Sequence, residues 1–188
     1  MDALLTTFVA AALAEWGDKT QLLVAVLAAR YARPGPILAA ILVAALANAL
    51  IAAFGGSLLN GLITLRAISL LVALALVFAG VSGLFRSKVP DMGGNWRTGP
   101  FVTAAACFFL LEFGDKTQFI TGALAAQFDS IALAALGATI GVTIANLPAA
   151  LLGDRLTQVV PVRAIRIAVA ILFLLVGLIV AVNALRLV

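Results

Sequence analysis

Charged residues are scarce in this chain of 188 residues. They make up 11% of the sequence, whereas 64% of the residues are hydrophobic and the mean hydropathy is +1.21. A soluble globular domain carries roughly 25% charged residues, and so few charges cannot cover this much apolar surface. The composition excludes a soluble enzyme, a disordered chain, a collagen-like chain and a disulfide-rich secreted protein. It predicts an integral membrane protein.

Histidine is absent, and the single cysteine is Cys107. One cysteine forms no disulfide within the chain, and zinc, copper, haem and iron–sulfur sites lack their usual ligands. The net charge of +4 would suit a nucleic-acid-binding protein, but no basic patch with interleaved aromatic residues is present. We therefore expect no nucleic-acid partner and no resident cofactor, and we expect Cys107 to be a small core residue.

Six apolar segments are long enough to cross a bilayer, whose core needs about 20 helical residues. Four of them carry no charge: residues 36–59, 67–85, 130–153 and 167–185. The other two, residues 3–29 and 99–128, are interrupted by charges and are expected to span with tilt or a local break. The predicted fold class is an all-α membrane protein with six transmembrane helices.

The sequence contains an internal repeat. Residues 15–21 read EWGDKTQ and residues 112–118 read EFGDKTQ, with six of seven positions identical at an offset of 97. The same offset aligns residues 65–68 with residues 162–165. Two copies of a three-helix unit must have opposite orientations, because the number of helices per copy is odd. This is the inverted-repeat architecture of secondary transporters.

The distribution of lysine and arginine predicts the orientation. Basic residues lie mainly beside the loops that follow the first, third and fifth segments, and the positive-inside rule places those loops in the cytoplasm. The cytoplasmic set is Arg30, Arg33, Arg86, Lys88, Arg97, Arg155, Arg163 and Arg166, against Arg66 and Arg186 on the other side. Both termini then face outside a plasma membrane, the inner membrane in a bacterium. The predicted repeats are residues 1–86 and 99–188, joined by a short cytoplasmic linker at residues 87–98.

Acidic residues lie within the two interrupted segments, where a charge is costly and indicates function. Glu15 and Asp18 are three positions apart, so on a helix both carboxylates share one face. Glu112 and Asp115 repeat this spacing. A pseudo-twofold axis in the membrane plane would bring both pairs to one central site. A glycine lies between the acids in each copy and would permit close helix approach or local unwinding. Unwinding would free backbone carbonyls as additional ligands.

The predicted site offers only oxygen ligands, which suit hard divalent cations such as calcium, manganese or magnesium. The expected metal ligands are Glu15, Asp18, Glu112 and Asp115, and the expected supporting residues are Lys19, Thr20, Gln21, Lys116, Thr117, Gln118, Asn48 and Asn146. Four carboxylates and two ammonium groups leave a charge of −2, which one divalent cation neutralises. About two protons could replace the cation, because a low dielectric disfavours charged carboxylates. This chemistry predicts a cation/proton antiporter.

Other interpretations follow from the same residues. The aspartates and lysines could form purely structural ion pairs between the repeats, since adjacent residues on a helix do not face each other, although such pairs stabilise poorly. Asn48 and Asn146 could equally hydrogen-bond between helices. The lysines could bind the carboxylate of an amino acid, making the protein an exporter of another small substrate. Two Gly-Asp pairs could also form the dyad of an intramembrane aspartyl protease, but the chain has four acids rather than two.

The two motifs resemble the GDT family of calcium/manganese–proton exchangers. Both copies of E-x-G-D-K-[TS] are intact, at residues 15–20 and 112–117, and the resemblance covers essentially the whole chain. It implies a transporter rather than an enzyme, which exports manganese, with calcium as a second candidate cargo, as protons enter. Membrane lipid, the cation and protons are then the expected partners. Eukaryotic members have a longer acidic central loop, so regulation attributed to that loop is not carried over.

Overall fold

The computed structural model describes residues 1–85 and 98–185, and this part of the chain is helical throughout, apart from turns and one isolated β-bridge. The helices are α1 (Asp2–Glu15), α2 (Lys19–Tyr31), α3 (Pro34–Ser57), α4 (Leu65–Leu84), α5 (Pro100–Glu112), α6 (Lys116–Phe128), α7 (Ile131–Leu152), α8 (Leu156–Val159) and α9 (Val162–Leu185). A 3-10 turn, Gly153–Arg155, joins α7 to α8. The predicted linker lies outside the described residues except for Thr98, and so do four of the basic residues counted for orientation: Arg86, Lys88, Arg97 and Arg186.

Within residues 1–85 and 98–185, four stretches of helix are long and apolar enough to cross a membrane. They are α3, α4, α9 and the stretch Ile131–Val159, which joins α7 to α8. The four charge-free segments predicted from the sequence are thereby confirmed as helices. Local sequence sets their starts, since α3 begins at a proline, which favours the first helical turn. The hydroxyl of Thr64 caps α4 by accepting from Ala67 N at 3.2 Å.

Each charge-interrupted segment is divided into two short helices. The helices α1, α2, α5 and α6 have 13 or 14 residues. At 1.5 Å per residue each is about 20 Å long, which is less than the ~30 Å hydrocarbon core. Three residues separate α1 from α2, and three separate α5 from α6. The local break expected in both segments is therefore present.

Each half of the chain packs its first helix against a long helix of the other half. Helix α1 packs against α7, as α5 packs against α3, and α3 also packs against α7. Glycine permits these close crossings, because an added Cβ at Gly137 or Gly141 of α7 would run into the backbone of α1. A cluster of buried apolar residues also lies between α1, α4, α6 and α9. The ends of α1 and α5, where the acids lie, are thus held in the interior of the bundle.

The exterior is as apolar as the interior. Only Ala170, Phe173 and Gly177 are buried in α9, whereas Leu175 and Leu178 are more than half exposed. Such a surface on a soluble monomer would cause aggregation, and in a bilayer it contacts lipid. The chain is accordingly a multi-pass membrane protein. Cys107 is 1% exposed, which confirms it as a core residue.

Candidate functional site

The break between α1 and α2 is a tight turn whose second central residue is glycine. Trp16 has φ −64° and ψ 120°, Gly17 has φ +73°, and Asp18 N donates to Glu15 O at 3.2 Å. These angles and this hydrogen bond define a type II turn, which requires a positive φ at its third residue. The glycine of the motif is therefore a backbone requirement, because a side chain is disfavoured there.

The second motif copy builds the same turn. Phe113 has φ −64° and ψ 121°, Gly114 has φ +76°, and Asp115 N donates to Glu112 O at 3.0 Å. Each aspartate thus follows the turn and precedes the next helix with an extended backbone. The expectation that the glutamate and aspartate of each copy share one helix face was wrong, because the glycine ends the helix between them.

A glutamine closes each turn. Gln21 Oε1 accepts a hydrogen bond from Gly17 N at 2.9 Å, and Gln118 Oε1 accepts from Gly114 N at 2.8 Å. The other end of each amide reaches the opposite half of the chain: Gln21 Nε2 donates to a backbone carbonyl of α7 at 2.7 Å, and Gln118 Nε2 donates to Asn48 Oδ1 at 2.9 Å. The glutamines predicted to support a cation therefore hold the turns, and their four-residue spacing from the glycine was the signal that sequence reasoning missed.

The aspartates and lysines of the two copies pair crosswise. Lys19 Nζ lies 2.8 Å from Asp115 Oδ1, and Lys116 Nζ lies 2.6 Å from Asp18 Oδ2. Each lysine thus pairs with the aspartate of the other repeat, as the sequence argument predicts. Its exclusion of pairs between adjacent residues was wrong for Lys116, which also lies 3.7 Å from Asp115 Oδ2 because Asp115 stands outside the helix. The charges of both motif copies therefore meet at one place.

Glu15 is fully buried and accepts three hydrogen bonds. Thr20 Oγ1 donates to Oε2 at 2.7 Å, Thr117 Oγ1 donates to Oε1 at 2.9 Å, and Asn146 Nδ2 donates to Oε2 at 3.2 Å. Two of these donors come from the second half of the chain, so both halves build the surroundings of this carboxylate. Donors therefore reach both carboxylate oxygens, so burial leaves neither oxygen of Glu15 without a hydrogen bond.

Glu112 occupies the corresponding position in a different environment. It is 2% exposed, and neither carboxylate oxygen has a hydrogen-bond partner among the described residues. Asn48, the counterpart of Asn146, donates instead to Phe109 O at 3.2 Å. Glu112 and Asn48 line a cavity of about 10 Å³ with Thr117, which is room for roughly one water molecule. Two motifs that match at six of seven positions thus contain one carboxylate with hydrogen-bond partners and one without.

Asn146 adds a second unsatisfied oxygen at the site. Its Nδ2 binds Glu15, while its buried Oδ1 has no partner among residues 1–85 and 98–185. Interhelical hydrogen bonding, one of the two roles expected for the asparagines, is therefore confirmed for both. A ligand role stays a prediction, and Asn146 has an oxygen that could take it.

The four acids do not form one cluster in this arrangement. Within the described part of the chain, no three acidic, histidine or cysteine side chains are grouped so that they could hold a metal ion. The lysines lie against the aspartate oxygens instead. The four-carboxylate site remains a prediction, and cation binding there would require the lysines to move.

An open cavity leads to one of the two turns. It has a volume of about 290 Å³, lies between α3, α4 and α6, and is bordered by Gly114, Asp115 and Gln118. Gly56 and Gly122 also line it, and their lack of side chains brings α3 and α6 close together. The ion-paired Asp115 can therefore be reached from this side of the protein.

Comparison with known proteins gives two matches. The family model of the divalent cation/proton antiporter GDT1 matches residues 3–91 and 100–187. The chain is also 39% identical over 180 residues to a Vibrio cholerae serotype O1 protein named "Putative manganese exporter", and the match covers 95% of this chain and 90% of that relative. No solved structure matches the chain significantly.

Proposed function

Because this chain belongs to the divalent cation/proton antiporter GDT1 family, we propose that it exports manganese from the cytoplasm in exchange for protons. The proposed ligands are Glu15, Asp18, Glu112 and Asp115. The observation that carries this proposal is the crossed pairing of aspartates and lysines, since it brings one aspartate of each motif copy to Lys116 inside the bundle. The manganese assignment rests on the Vibrio cholerae relative, and calcium is the alternative cargo because it also takes oxygen ligands.

The proposed architecture is an inverted repeat of six spans. Each pair of short helices, α1 with α2 and α5 with α6, would act as one broken span of about 30 residues, long enough to cross the bilayer. The exchange of partners between α1–α7 and α5–α3 supports a pseudo-twofold relation. The repeats would be residues 1–86 and 99–188 with both termini outside.

The lysines act in this proposal as internal counter-ions. An ammonium group holds each aspartate, so an arriving cation must displace lysine nitrogen from the carboxylate oxygens. The unpartnered oxygens of Glu112 and Asn146 are available as further ligands. Gln21 and Gln118 keep the turns in place while the aspartate and lysine side chains rearrange, because each glutamine accepts a hydrogen bond from the glycine backbone of its turn.

Electrostatics then enforces exchange. The four acids and two lysines carry a charge of −2 when all are ionised, so one divalent cation and two protons are electrically equivalent occupants. Both compete for the same carboxylates, which makes their binding mutually exclusive. A site without either would carry uncompensated buried charge through the membrane, and this cost opposes reorientation without cargo.

The test is manganese flux in proteoliposomes of the purified protein. We expect a proton gradient to drive manganese movement in the opposite direction, with calcium, magnesium and an amino acid as competing substrates. Asp129→Asn is the matched control, because this exposed acid lies outside the site at φ +47°, a conformation that asparagine tolerates. Manganese flux that is indifferent to the proton gradient would reject antiport.

A further inference from the structure

The two glycine turns share a backbone conformation but differ in what lies against them. A Cβ added at Gly114 would meet nothing within 4 Å. A Cβ added at Gly17 would lie 2.8 Å from the Cβ of Arg166 and 2.8 Å from the backbone oxygen of Val162. The start of α9 therefore covers the first turn, and the corresponding place at the second turn is open.

Arg166 stands between two cavities. One has a volume of about 860 Å³ and is bordered by Gly17, Arg163 and Arg166, on the side of α8 and the start of α9. The other, of about 10 Å³, is bordered by Asp18, Lys116 and Arg166. The arginine is thus the wall that separates the buried Asp18–Lys116 ion pair from the larger cavity. Its Nε is buried without a hydrogen-bond partner among the described residues.

The charge of this wall opposes cations. A guanidinium group stays protonated at any physiological pH, so Arg166 is a permanent positive charge. Arg166 lines both cavities, whereas Asp18 lines only the smaller one, so a cation moving from the larger cavity to Asp18 would pass this charge. Like charges repel strongly where little water screens them. Closure on this side is therefore both steric, at Gly17, and electrostatic.

Resting on the proposed function, we propose that Arg166 is a gate residue of the transport pathway. It closes Asp18 off from the α8–α9 cavity while Asp115 is reachable through the cavity at Gly114. In the opposite form, α9 withdraws from Gly17 and the start of α4 covers Gly114.

The two positions related by the repeat offset of 97 residues carry different residues at the gate. The counterpart of Arg166 is Ser69, whose hydroxyl donates to Leu65 O at 3.0 Å within α4. A serine closing on Gly114 would form a neutral gate on that side. The charged gate lies on the side that the basic residues place in the cytoplasm.

Thiol labelling tests the gate without any transport measurement. Ala79 is 2% exposed and lines the small cavity behind Arg166, so Ala79→Cys in a Cys107→Ala background reports access to that cavity. Ala164→Cys, on the exposed rim of the larger cavity, shows that a membrane-impermeant reagent reaches this side. We expect slow labelling at position 79 with Arg166 present. Arg166→Gln should raise the rate by about tenfold or more, because it removes packing and charge together.

Matched variants separate the gate from general charge effects. Arg163 lines the same large cavity with the same charge, so Arg163→Gln should leave labelling at position 79 slow. Arg166→Lys should keep the cavity closed. Unchanged labelling in Arg166→Gln, or equal acceleration in Arg163→Gln, would overturn the proposal. Should Arg166→Gln elute from gel filtration as an aggregate, Arg166→Met, which keeps an apolar stem, is judged by the same criteria.

The outcome is independent of the cargo. Labelling needs neither metal nor a proton gradient, so a protein that fails to move manganese in proteoliposomes still gives a result for the gate. If exchange is present, Arg166→Gln should also leak protons in the absence of metal, as followed by a pH-sensitive dye inside the vesicles. An Arg166→Gln variant that leaks no protons without metal and still exchanges manganese for protons would contradict the gate, even if the proposed exchange is correct.

Discussion

Lys116 Nζ in α6 lies 2.6 Å from Asp18 Oδ2, across the interface between the two halves of the chain. Its counterpart, Lys19 with Asp115, has nearly the same separation but a different exposure. The side chains of Lys116 and Asp18 are 8% and 11% exposed, whereas that of Lys19 is 35% exposed. The two pairs look equivalent in the sequence, but removing a lysine from each should change the free energy of unfolding by different amounts.

The lysine pairs should respond unequally to charge removal. Lys116→Gln leaves a buried aspartate without its counter-ion, which costs about 3–5 kcal/mol. Lys19→Gln should cost less, because Lys19 is 35% exposed and Asp115 keeps Lys116 at 3.7 Å as a second counter-ion. Thermal unfolding of both variants in the same detergent checks this, with Arg163→Gln as a control for removal of an exposed charge. Equal destabilisation by the two lysine variants would contradict the difference in burial.

All four acids should be needed for transport. Glu15→Gln, Asp18→Asn, Glu112→Gln and Asp115→Asn each remove one proposed ligand charge while keeping the shape, and we expect at least about a tenfold loss of manganese flux, or ~1.4 kcal/mol, for each. Flux in proteoliposomes is the measurement, with Asp129→Asn expected to match the unmodified protein. Full activity in any two of the four variants would reject the central-site proposal.

The two turn glycines should differ in tolerance. Gly114→Ala places a Cβ in open space, so its cost is that of a positive φ alone, about 1–2 kcal/mol. Gly17→Ala carries the same backbone cost and also collides with Arg166 and the backbone of Val162, so it should be more destabilising. Comparison of melting temperatures decides this, and a Gly114→Ala variant less stable than Gly17→Ala would run against the packing described.

Protons should compete with metal for the site. Because both bind the same carboxylates in the proposal, manganese affinity should fall as the pH drops, and each decade of affinity lost corresponds to ~1.4 kcal/mol. Titration of manganese into the purified protein at several pH values measures this. Glu112→Gln should flatten the dependence, since it removes one shared carboxylate. Affinity that is unchanged across the pH range would show that protons and metal do not share ligands.

The C-terminus should lie outside the cytoplasm. The excess of basic residues beside the loops after the first, third and fifth segments predicts this orientation. Fusion of two C-terminal reporters, one active only in the cytoplasm and one active only outside, distinguishes the two possibilities. A cytoplasmic C-terminus would reverse the assignment of the Arg166 side while leaving the repeat itself intact.

The sequence by itself determined where the long apolar helices lie and which two segments are interrupted by charges. Charge-free runs of this length and apolarity predict membrane helices. Charges within the other two segments indicate function, because their burial is costly. A glycine between two acids in each motif indicated either close helix approach or local unwinding, and the structure shows a break at both glycines. The sequence argument predicted that any ion pairs would cross between the repeats, and the two shortest pairs do so, although Lys116 also approaches its neighbour Asp115.

Only the tertiary structure decided how the two motifs differ. Their sequences match at six of seven positions, so no local pattern could show that Glu15 has three hydrogen-bond donors while Glu112 has no partner among the described residues. That difference arises because Thr117 donates across to Glu15 and α9 packs on one turn only. A repeated sequence encodes two equal halves, and it is the packing of distant helices that makes them unequal in any one conformation.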